Sequence, residues 1–359
     1  MRGSGMSTTV EANGISQHLH VSGPLTGVPV LLIHGNCSSG GYWEPFVRRV
    51  LSTGTWRVVA PDLRGYGDSE PAPVDATRGL RDFADDVAAL LDATLPDGEP
   101  LFEPGARPIV VAHSMGTGVA MHLTIDHPDR VAGLLLEAPL SPYGFGGTRD
   151  LVGTLTTPDF AGTGAGAVNP SFVARLAAKD RSSDDPASPR LVMRGTYVAD
   201  PDAFGADEDA MLETVLSTVV GEDNYPGDPA TAQSWPATGP GTRGVLNAMS
   251  PRWFSVADDL IALGHKPPVT WVRGSADAIV SDTSLFDLAY LGQLGAVPGW
   301  PGIEACPPQP MVGQTRAVLE RYATAGGSFT EVVLDGCGHS PHIERPEEFV
   351  TALRVLAAR

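Results

Sequence analysis

The sequence contains little of what builds metal sites, disulfide frameworks or membrane spans. Its three cysteines, Cys37, Cys306 and Cys337, are far apart and form no C-x-x-C motif. Neither a disulfide framework nor a structural zinc site is therefore expected. The sequence has no H-E-x-x-H or EF-hand pattern, and no run approaches the roughly 18 apolar residues of a transmembrane helix. We predict no cofactor, no metal and no membrane partner.

Positive charge is also scarce. The 359 residues include 24 Lys and Arg against 42 Asp and Glu, which gives a formal net charge of −18. Such an acidic surface repels nucleic acid and anionic lipid, so neither is an expected partner. A hydrophobic share of 42% is ordinary for a soluble globular protein, and the length allows a large core. The oligomeric state is not indicated.

The first residues carry no apolar segment typical of a secretory signal. A second methionine at Met6 marks residues 1–5 as a cloning remnant, and we expect a tag-derived, flexible start over 1–7. The expected location is the cytoplasm.

From residue 8 to residue 138, short apolar strands alternate with helical patterns. Continuous apolar strands separated by helices predict a mostly parallel sheet with helices on both faces. The predicted strands are 8–12, 16–21, 28–33, 56–60, 107–111, 131–136, 269–273 and 329–334, and the predicted helices are 42–51, 80–95, 118–125 and 346–358.

Between residues 139 and 266 this alternation stops. The segment is rich in Gly, Pro and Asp, with helix-like pieces at 171–179, 207–220 and 252–264. We interpret it as an inserted, largely helical cap between the two core parts, 8–138 and 267–359. A smaller insertion at 284–315 separates the last two strands.

Ser114 lies between a predicted strand and a predicted helix, within Ala112-His113-Ser114-Met115-Gly116. A serine with small residues two before and two after it, at such a turn, is typical of a nucleophile elbow. Ala112 and Thr117 stand where glycines are common. The free N–H groups at the start of the helix are suited to bind a developing oxyanion.

A serine nucleophile needs a base and a group that orients the base. His339 follows the last predicted strand within Gly338-His339, and Asp277 follows the strand that ends at Arg273. Ser114, Asp277 and His339 thus come in the order expected for this architecture. His342 is an alternative base, and Glu137 and Asp282 are alternative acids.

The second oxyanion donor is expected in the loop His34-Gly35-Asn36-Cys37, after the strand that ends at Ile33. We predict that the main-chain N–H groups of Asn36 and Met115 form the oxyanion hole. Asp62 and Arg64 are interpreted as a structural turn. His18 and His20 lie on one face of a strand, where we expect a solvated edge rather than a metal site.

These motifs, with Asp62-Leu63-Arg64-Gly65-Tyr66-Gly67-Asp68-Ser69 and Glu344-Arg345-Pro346, resemble the α/β-hydrolase superfamily. The chain is similar to the capped branch that contains esterases, lactonases, carbon–carbon bond hydrolases, epoxide hydrolases and haloalkane dehalogenases. The last two use an aspartate nucleophile where this chain has Ser114, so their chemistry is not implied.

The resemblance implies an α/β-hydrolase fold and a serine hydrolase that cleaves a small, largely apolar ester or lactone. The alternatives are a carbon–carbon bond hydrolase with the same triad and a hydrolase-fold ligand receptor with little turnover. Substrate choice is expected to lie in the cap.

Overall fold

A central eight-stranded sheet organises the chain in this computed structural model, which describes residues 5–51 and 54–359. The strands are β1 (Met6–Ala12), β2 (Ile15–Ser22), β3 (Val28–Ile33), β4 (Trp56–Pro61), β5 (Ile109–His113), β6 (Gly133–Glu137), β7 (Val220–Gly221), β8 (Tyr225–Pro226), β9 (Pro229–Thr231), β10 (Thr238–Pro240), β11 (Val269–Gly274) and β12 (Phe329–Leu334). The central order is β1-β2-β4-β3-β5-β6-β11-β12, and β7–β8 and β9–β10 form two small separate sheets.

Helices connect the strands. They are α1 (Glu44–Leu51), α2 (Arg81–Leu90), α3 (Met115–Asp126), α4 (Pro170–Ala177), α5 (Pro189–Val192), α6 (Glu208–Leu216), α7 (Val245–Ala248), α8 (Ala257–Ala262), α9 (Leu288–Gln293), α10 (Met311–Thr324), α11 (Pro341–Glu344) and α12 (Pro346–Ala357). Short 3-10 turns include Gly40–Trp43 and Pro201–Asp207, and one π-helical turn covers Met193–Tyr197. No helix in the described part of the chain is long and apolar enough to cross a bilayer.

The first two strands form an antiparallel hairpin, and β2 also pairs antiparallel with β4. Asn13 and Gly14 make the turn at φ of +54° and +74°, as a two-residue hairpin requires. In the central sheet, every pairing along the order β4-β3-β5-β6-β11-β12 is parallel. The sheet is therefore mostly parallel, as predicted.

Strand β3 shows how both faces of the sheet are buried. Val30 and Leu32 pack into the cluster that contains Trp43 and Phe349, while Leu31 and Ile33 pack into the cluster that contains Phe83. Alternate residues of a strand point to opposite faces, so a continuous apolar run is needed where helices cover both sides. This confirms the predicted α/β arrangement.

The chain leaves the central sheet after β6 and returns at β11, which is the neighbour of β6. Helices α4 to α8 and both small sheets lie in between. The small sheets are not foreseen by the helical pattern of this segment. Among its aromatic side chains, Tyr143 and Phe254 are buried and Trp253 is partly buried.

Two local expectations need correction. The helix predicted over 80–95 ends at Leu90, and a turn follows in which the Leu95 N–H donates to the Glu99 carbonyl over 2.7 Å. Pro96 disfavours helix at Leu95, because proline restricts the residue before it. The flexible start predicted over 1–7 falls partly on residues 1–4, which lie outside the described part, while Met6 and Ser7 already belong to β1.

Candidate active site

Ser114 occupies a sharp turn between β5 and α3. Its φ of +53° and ψ of −122° lie in a region that non-glycine residues rarely adopt, at a cost of about 1–3 kcal/mol. The turn leaves Ser114 half-buried rather than enclosed. Gly116 is required by close approach: a Cβ there would lie 2.4 Å from the His34 carbonyl oxygen. These features have the geometry of the nucleophile elbow that the sequence predicts.

His339 and Asp277 are brought together from the loops after β12 and β11. The Nδ1 atom of His339 lies 2.8 Å from Oδ2 of Asp277, and both side chains are almost fully buried. The other carboxylate oxygen of Asp277 accepts the main-chain N–H groups of Ile279 and Val280 over 2.8 and 3.0 Å. A carboxylate held in this way keeps the imidazole proton on Nδ1 and leaves Nε2 free to act as a base.

The alternative residues make other contacts. Glu137 accepts from Nδ1 of His342 over 2.9 Å and from its main-chain N–H over 2.7 Å, and both side chains are fully buried. Asp282 is exposed and accepts the N–H groups of Val312 and Gly313 at the start of α10. The two rivals Glu137 and His342 therefore pair with each other, and neither binds His339.

His113 links the turn at Ser114 to the loop that carries His339, residues 335–340, called the histidine loop here. It precedes Ser114 on β5, and its Nε2–H donates to the main-chain carbonyl of His339 over 2.9 Å. Burial and the nearby histidines hold the pKa of His113 well below its usual value, so the ring is a neutral donor. Among the hydrogen bonds of the described residues, none joins Ser114 to His339. Such bonds often form only when substrate is bound.

The loop after β3 lies beside the serine. A Cβ built on Gly35 would be 3.1 Å from the Cβ of Ser114. His34 fixes this loop from inside: Nδ1 donates to the Gly35 carbonyl over 2.7 Å, and Nε2 accepts the Leu63 N–H over 3.0 Å. Burial lowers the pKa of His34 to about 4, so it keeps the neutral form that both bonds need.

Two buried tyrosines also hold this loop, and neither contact was predicted from the sequence. The hydroxyl of Tyr66 donates to Oδ1 of Asn36 over 2.7 Å, and that of Tyr197 donates to the Cys37 carbonyl over 3.0 Å. Burial raises the pKa of both phenols well above the usual value, so both remain donors. The glycine-rich motif around Tyr66 was a usable signal, whereas nothing local marked Tyr197.

The main-chain N–H groups of Asn36 and Met115 are available for a ligand. Within residues 5–51 and 54–359, neither donates to a protein acceptor. Met115 is the first residue of α3, where N–H groups have no partner inside the helix and the helix dipole favours negative charge. The arrangement fits the predicted oxyanion hole.

His18, His20 and Asp62 form a cluster with candidate ligand atoms within 4.8 Å of one another. The expectation of a solvated edge is wrong for His18, which is buried and lies 2.7 Å from Asp62. The Asp62 carboxylate also accepts the N–H groups of Gly40 and Asp68, and the second ring nitrogen of His18 contacts Ser7. These bonds use the candidate ligand atoms of His18 and Asp62. They hold the turn that follows β4, in keeping with a structural role.

The three cysteines are free and buried. Burial raises the pKa of the Cys37 thiol to about 12 and that of Cys306 to about 11. A thiol with such a pKa carries almost no thiolate at neutral pH and is a poor nucleophile. The geometry gives none of the three a role in covalent chemistry.

Comparison with known proteins identifies the family of this chain. The model of the alpha/beta hydrolase family matches residues 30–352, and the chain belongs to that family. Among curated proteins, a putative carbamate hydrolase RutD of Variovorax paradoxus is 40% identical over 119 residues, 33% of this chain and 41% of the relative. A 2-hydroxymuconate semialdehyde hydrolase of Pseudomonas sp. is 35% identical over 127 residues, 35% of this chain and 40% of the relative. The chain thus matches about two fifths of the length of these relatives.

Solved structures resemble the whole chain at low identity. The esterase RhEst1 of Rhodococcus sp. has a TM-score of 0.57 at 21% identity, covering 100% of this chain and 99% of its own. A 2-hydroxy-6-oxo-6-phenylhexa-2,4-dienoate hydrolase of Rhodococcus sp. has a TM-score of 0.59 at 16% identity, covering 99% and 100%. At this identity the likeness shows the fold alone. The chain is an α/β hydrolase.

Proposed function

We propose that this protein is a serine hydrolase that cleaves a small, uncharged ester or lactone through an acyl-enzyme. The observation that carries the proposal is the combination of a strained serine at the β5–α3 turn with a buried His339–Asp277 pair at the neighbouring strand ends. Ser114 is assigned as the nucleophile, His339 as the base and Asp277 as the orienting acid.

The assigned groups account for each step. The Ser114 hydroxyl oxygen attacks the carbonyl carbon while Nε2 of His339 takes the hydroxyl proton. The resulting oxyanion accepts the N–H groups of Asn36 and Met115, which lie ready before the reaction. His339 then gives its proton to the leaving alcohol. Water, deprotonated by the same histidine, attacks the acyl-enzyme and releases the acid and Ser114.

The charges of the 139–266 segment favour an uncharged substrate. Its arginines at 175, 181, 190, 194 and 243 pair with carboxylates, and Arg149 and Lys179 donate to main-chain carbonyls. Arg252 stacks on Trp253 at 4.6 Å, and Lys266 donates to the Leu263 carbonyl. Residues 284–315 contain no Lys or Arg. Every Lys and Arg side chain of the 139–266 segment thus already has a partner. Neither insertion offers an unpaired Lys or Arg to bind a substrate carboxylate.

A carbon–carbon bond hydrolase is the second candidate, because 127 residues of this chain are 35% identical to a 2-hydroxymuconate semialdehyde hydrolase. It would use the same three residues but needs to hold an anionic dienoate, and the engaged cations disfavour this. A ligand receptor with little turnover is the third reading. Rates separate the three readings more directly than structure does.

The test compares steady-state hydrolysis of p-nitrophenyl acetate, p-nitrophenyl butyrate, a γ-lactone and a dienoate ring-fission product. We expect sustained turnover of the esters at 1 per second or faster, within the usual range of enzymes, and loss of turnover in Ser114→Ala. Release of a single equivalent of p-nitrophenol would support the receptor, and faster turnover of the dienoate would support the second candidate. Either result would overturn the ester proposal.

A further inference from the structure

The carboxylate of Glu344 is buried and is held by main-chain groups from two separate parts of the chain. It is 8% exposed at the end of α11. Oε2 accepts the Gly338 N–H over 2.6 Å, and Oε1 accepts the Ala199 and Asp200 N–H groups over 3.0 Å each. No ion pair to this carboxylate occurs in the described part of the chain; the Arg345 guanidinium donates to the Glu344 main-chain carbonyl instead. Burying a carboxylate without a cation is costly unless its hydrogen bonds are satisfied.

One of these two parts is the histidine loop. Gly338 directly precedes His339 and lies against the other part so closely that a Cβ would be 2.4 Å from the Ala199 nitrogen. The His339 carbonyl accepts from His113 on β5. The main chain around the base is therefore held at two points. His113 binds the His339 carbonyl, and Glu344 binds the Gly338 N–H.

The other part is residues 197–200, called the strap here, which belong to the 139–266 segment. The first strap residue, Tyr197, is also the last residue of a π-helical turn, Met193–Tyr197. Such turns are often found at functional sites. The Tyr197 hydroxyl donates to the Cys37 carbonyl in the loop after β3, residues 34–37, called the oxyanion loop here. The Tyr197 ring lies 6.4 Å from the His339 ring. The strap thus contacts the oxyanion loop at one end and Glu344 at the other.

We propose that Glu344 is a positioning residue for His339, and that its two oxygens couple the position of the base to the position of the strap. This inference rests on the proposed function. With the strap in place, three N–H groups hold the carboxylate, and the carboxylate holds the Gly338 peptide. The Cys337 thiol, on the Gly338 side, also donates to Oε2 over 3.5 Å. If the strap moves away, Glu344 loses two of its three N–H donors, and the histidine loop loses a fixed support. Strap closure and base alignment are then one event.

The test uses Glu344→Gln, Glu344→Asp and, as a matched control, Glu348→Gln. Glu348 is exposed in the first turn of α12. Glutamine keeps one acceptor oxygen but turns an NH2 group toward one set of main-chain donors, so one side of the link must fail. Aspartate keeps the charge and both acceptors on a shorter arm. We expect kcat for p-nitrophenyl acetate to fall by about 10-fold to 100-fold in Glu344→Gln, with KM little changed, partial recovery in Glu344→Asp, and wild-type values in the control.

Two readouts separate positioning from simple stability. The Nδ1–H resonance of His339 in proton NMR spectra, identified by its absence in His339→Gln, should shift or broaden in Glu344→Gln. Hydrogen exchange at Gly338, Ala199 and Asp200 should accelerate together. A folded Glu344→Gln with unchanged kcat and an unchanged His339 resonance would overturn the proposal, even if its melting temperature fell. The resonance and the exchange rates do not depend on turnover, so they test this inference even if no ester is cleaved.

Discussion

Two histidine–carboxylate pairs lie close together in this molecule, and the surroundings of the second ring nitrogen decide which histidine can act as a base. His342 is enclosed by aromatic rings, with Trp43 at 4.4 Å, and its Nε2 is buried without any partner. His339 points its Nδ1 at Asp277, and its carbonyl is bound to the residue before Ser114. The pair His342–Glu137 is therefore assigned a structural role.

At the same scale, we predict that the three assigned residues act as a unit. Ser114→Ala and His339→Ala should each lower kcat by several powers of ten, and the double variant should lose little more. Asp277→Asn should cost on the order of 10⁴ in kcat, because the asparagine amide favours the wrong tautomer of His339. Steady-state kinetics with p-nitrophenyl acetate measures these losses.

Glu137→Gln is the matched control for Asp277→Asn, since both change a buried carboxylate that binds a histidine. We expect it to lower the melting temperature and to retain much of the activity. A loss of about 10⁴ in Glu137→Gln, with activity kept in Asp277→Asn, would reverse the assignment of the acid.

At the scale of elements, the oxyanion loop after β3 depends on groups from two distant elements. Tyr66, after β4, binds the Asn36 side chain, and Tyr197, from the 139–266 segment, binds the Cys37 carbonyl. The two contacts hold Asn36, whose N–H is assigned to the oxyanion hole, and the next residue, Cys37. In the proposed mechanism, the inserted segment thus helps to hold the oxyanion loop.

We therefore predict that Tyr197→Phe lowers kcat by about 10-fold, since it leaves the buried Cys37 carbonyl without its donor. The loss should be similar for acetyl and butyryl esters, because the change affects the oxyanion loop rather than a binding pocket. Tyr290→Phe on α9 is the control, and it should react like the wild type. A loss confined to the butyryl ester would instead place Tyr197 in substrate selection.

At the scale of the whole molecule, several buried histidines make stability depend on pH. His122 on α3 packs edge-on against Phe254, and among the described residues neither of its ring nitrogens has a hydrogen-bond partner. Burial lowers the pKa of His122 to about 4 from 6.5. As pH falls below 6.5, the unfolded chain takes up a proton that the folded chain does not, so stability is lost down to about pH 4.

We predict that His122→Leu reduces the loss of stability between pH 7 and pH 4.5. The variant removes a contribution of about 1 kcal/mol per pH unit and two unsatisfied polar atoms. Urea unfolding at several pH values measures the difference from the wild type. His127→Gln, at an exposed histidine, should leave the pH dependence unchanged. Equal pH slopes for wild type and His122→Leu would show that this histidine does not contribute.

The sequence alone determined the parts of this protein that depend on local pattern and chain order. Apolar runs marked the parallel strands, because strands buried on both faces must be apolar throughout. The small residues around Ser114 marked the sharp turn between strand and helix. Ser114, Asp277 and His339 each follow a predicted strand. Because the carboxyl ends of parallel strands lie at the same edge of a sheet, all three were expected at that edge.

Only the tertiary structure decided which side chains meet. Asp277, Glu137 and Asp282 all follow strands or lie near strand ends; chain order favoured Asp277, but the sequence left the other two open. The choice came from loop geometry, which gives Asp277 to His339 and Glu137 to His342. The contacts of Tyr197 with Cys37 and of Glu344 with Ala199 could not be predicted for the same reason: they join side chains to main-chain groups that are far away in sequence. Main-chain groups are alike at every residue, so no residue pattern records such partners.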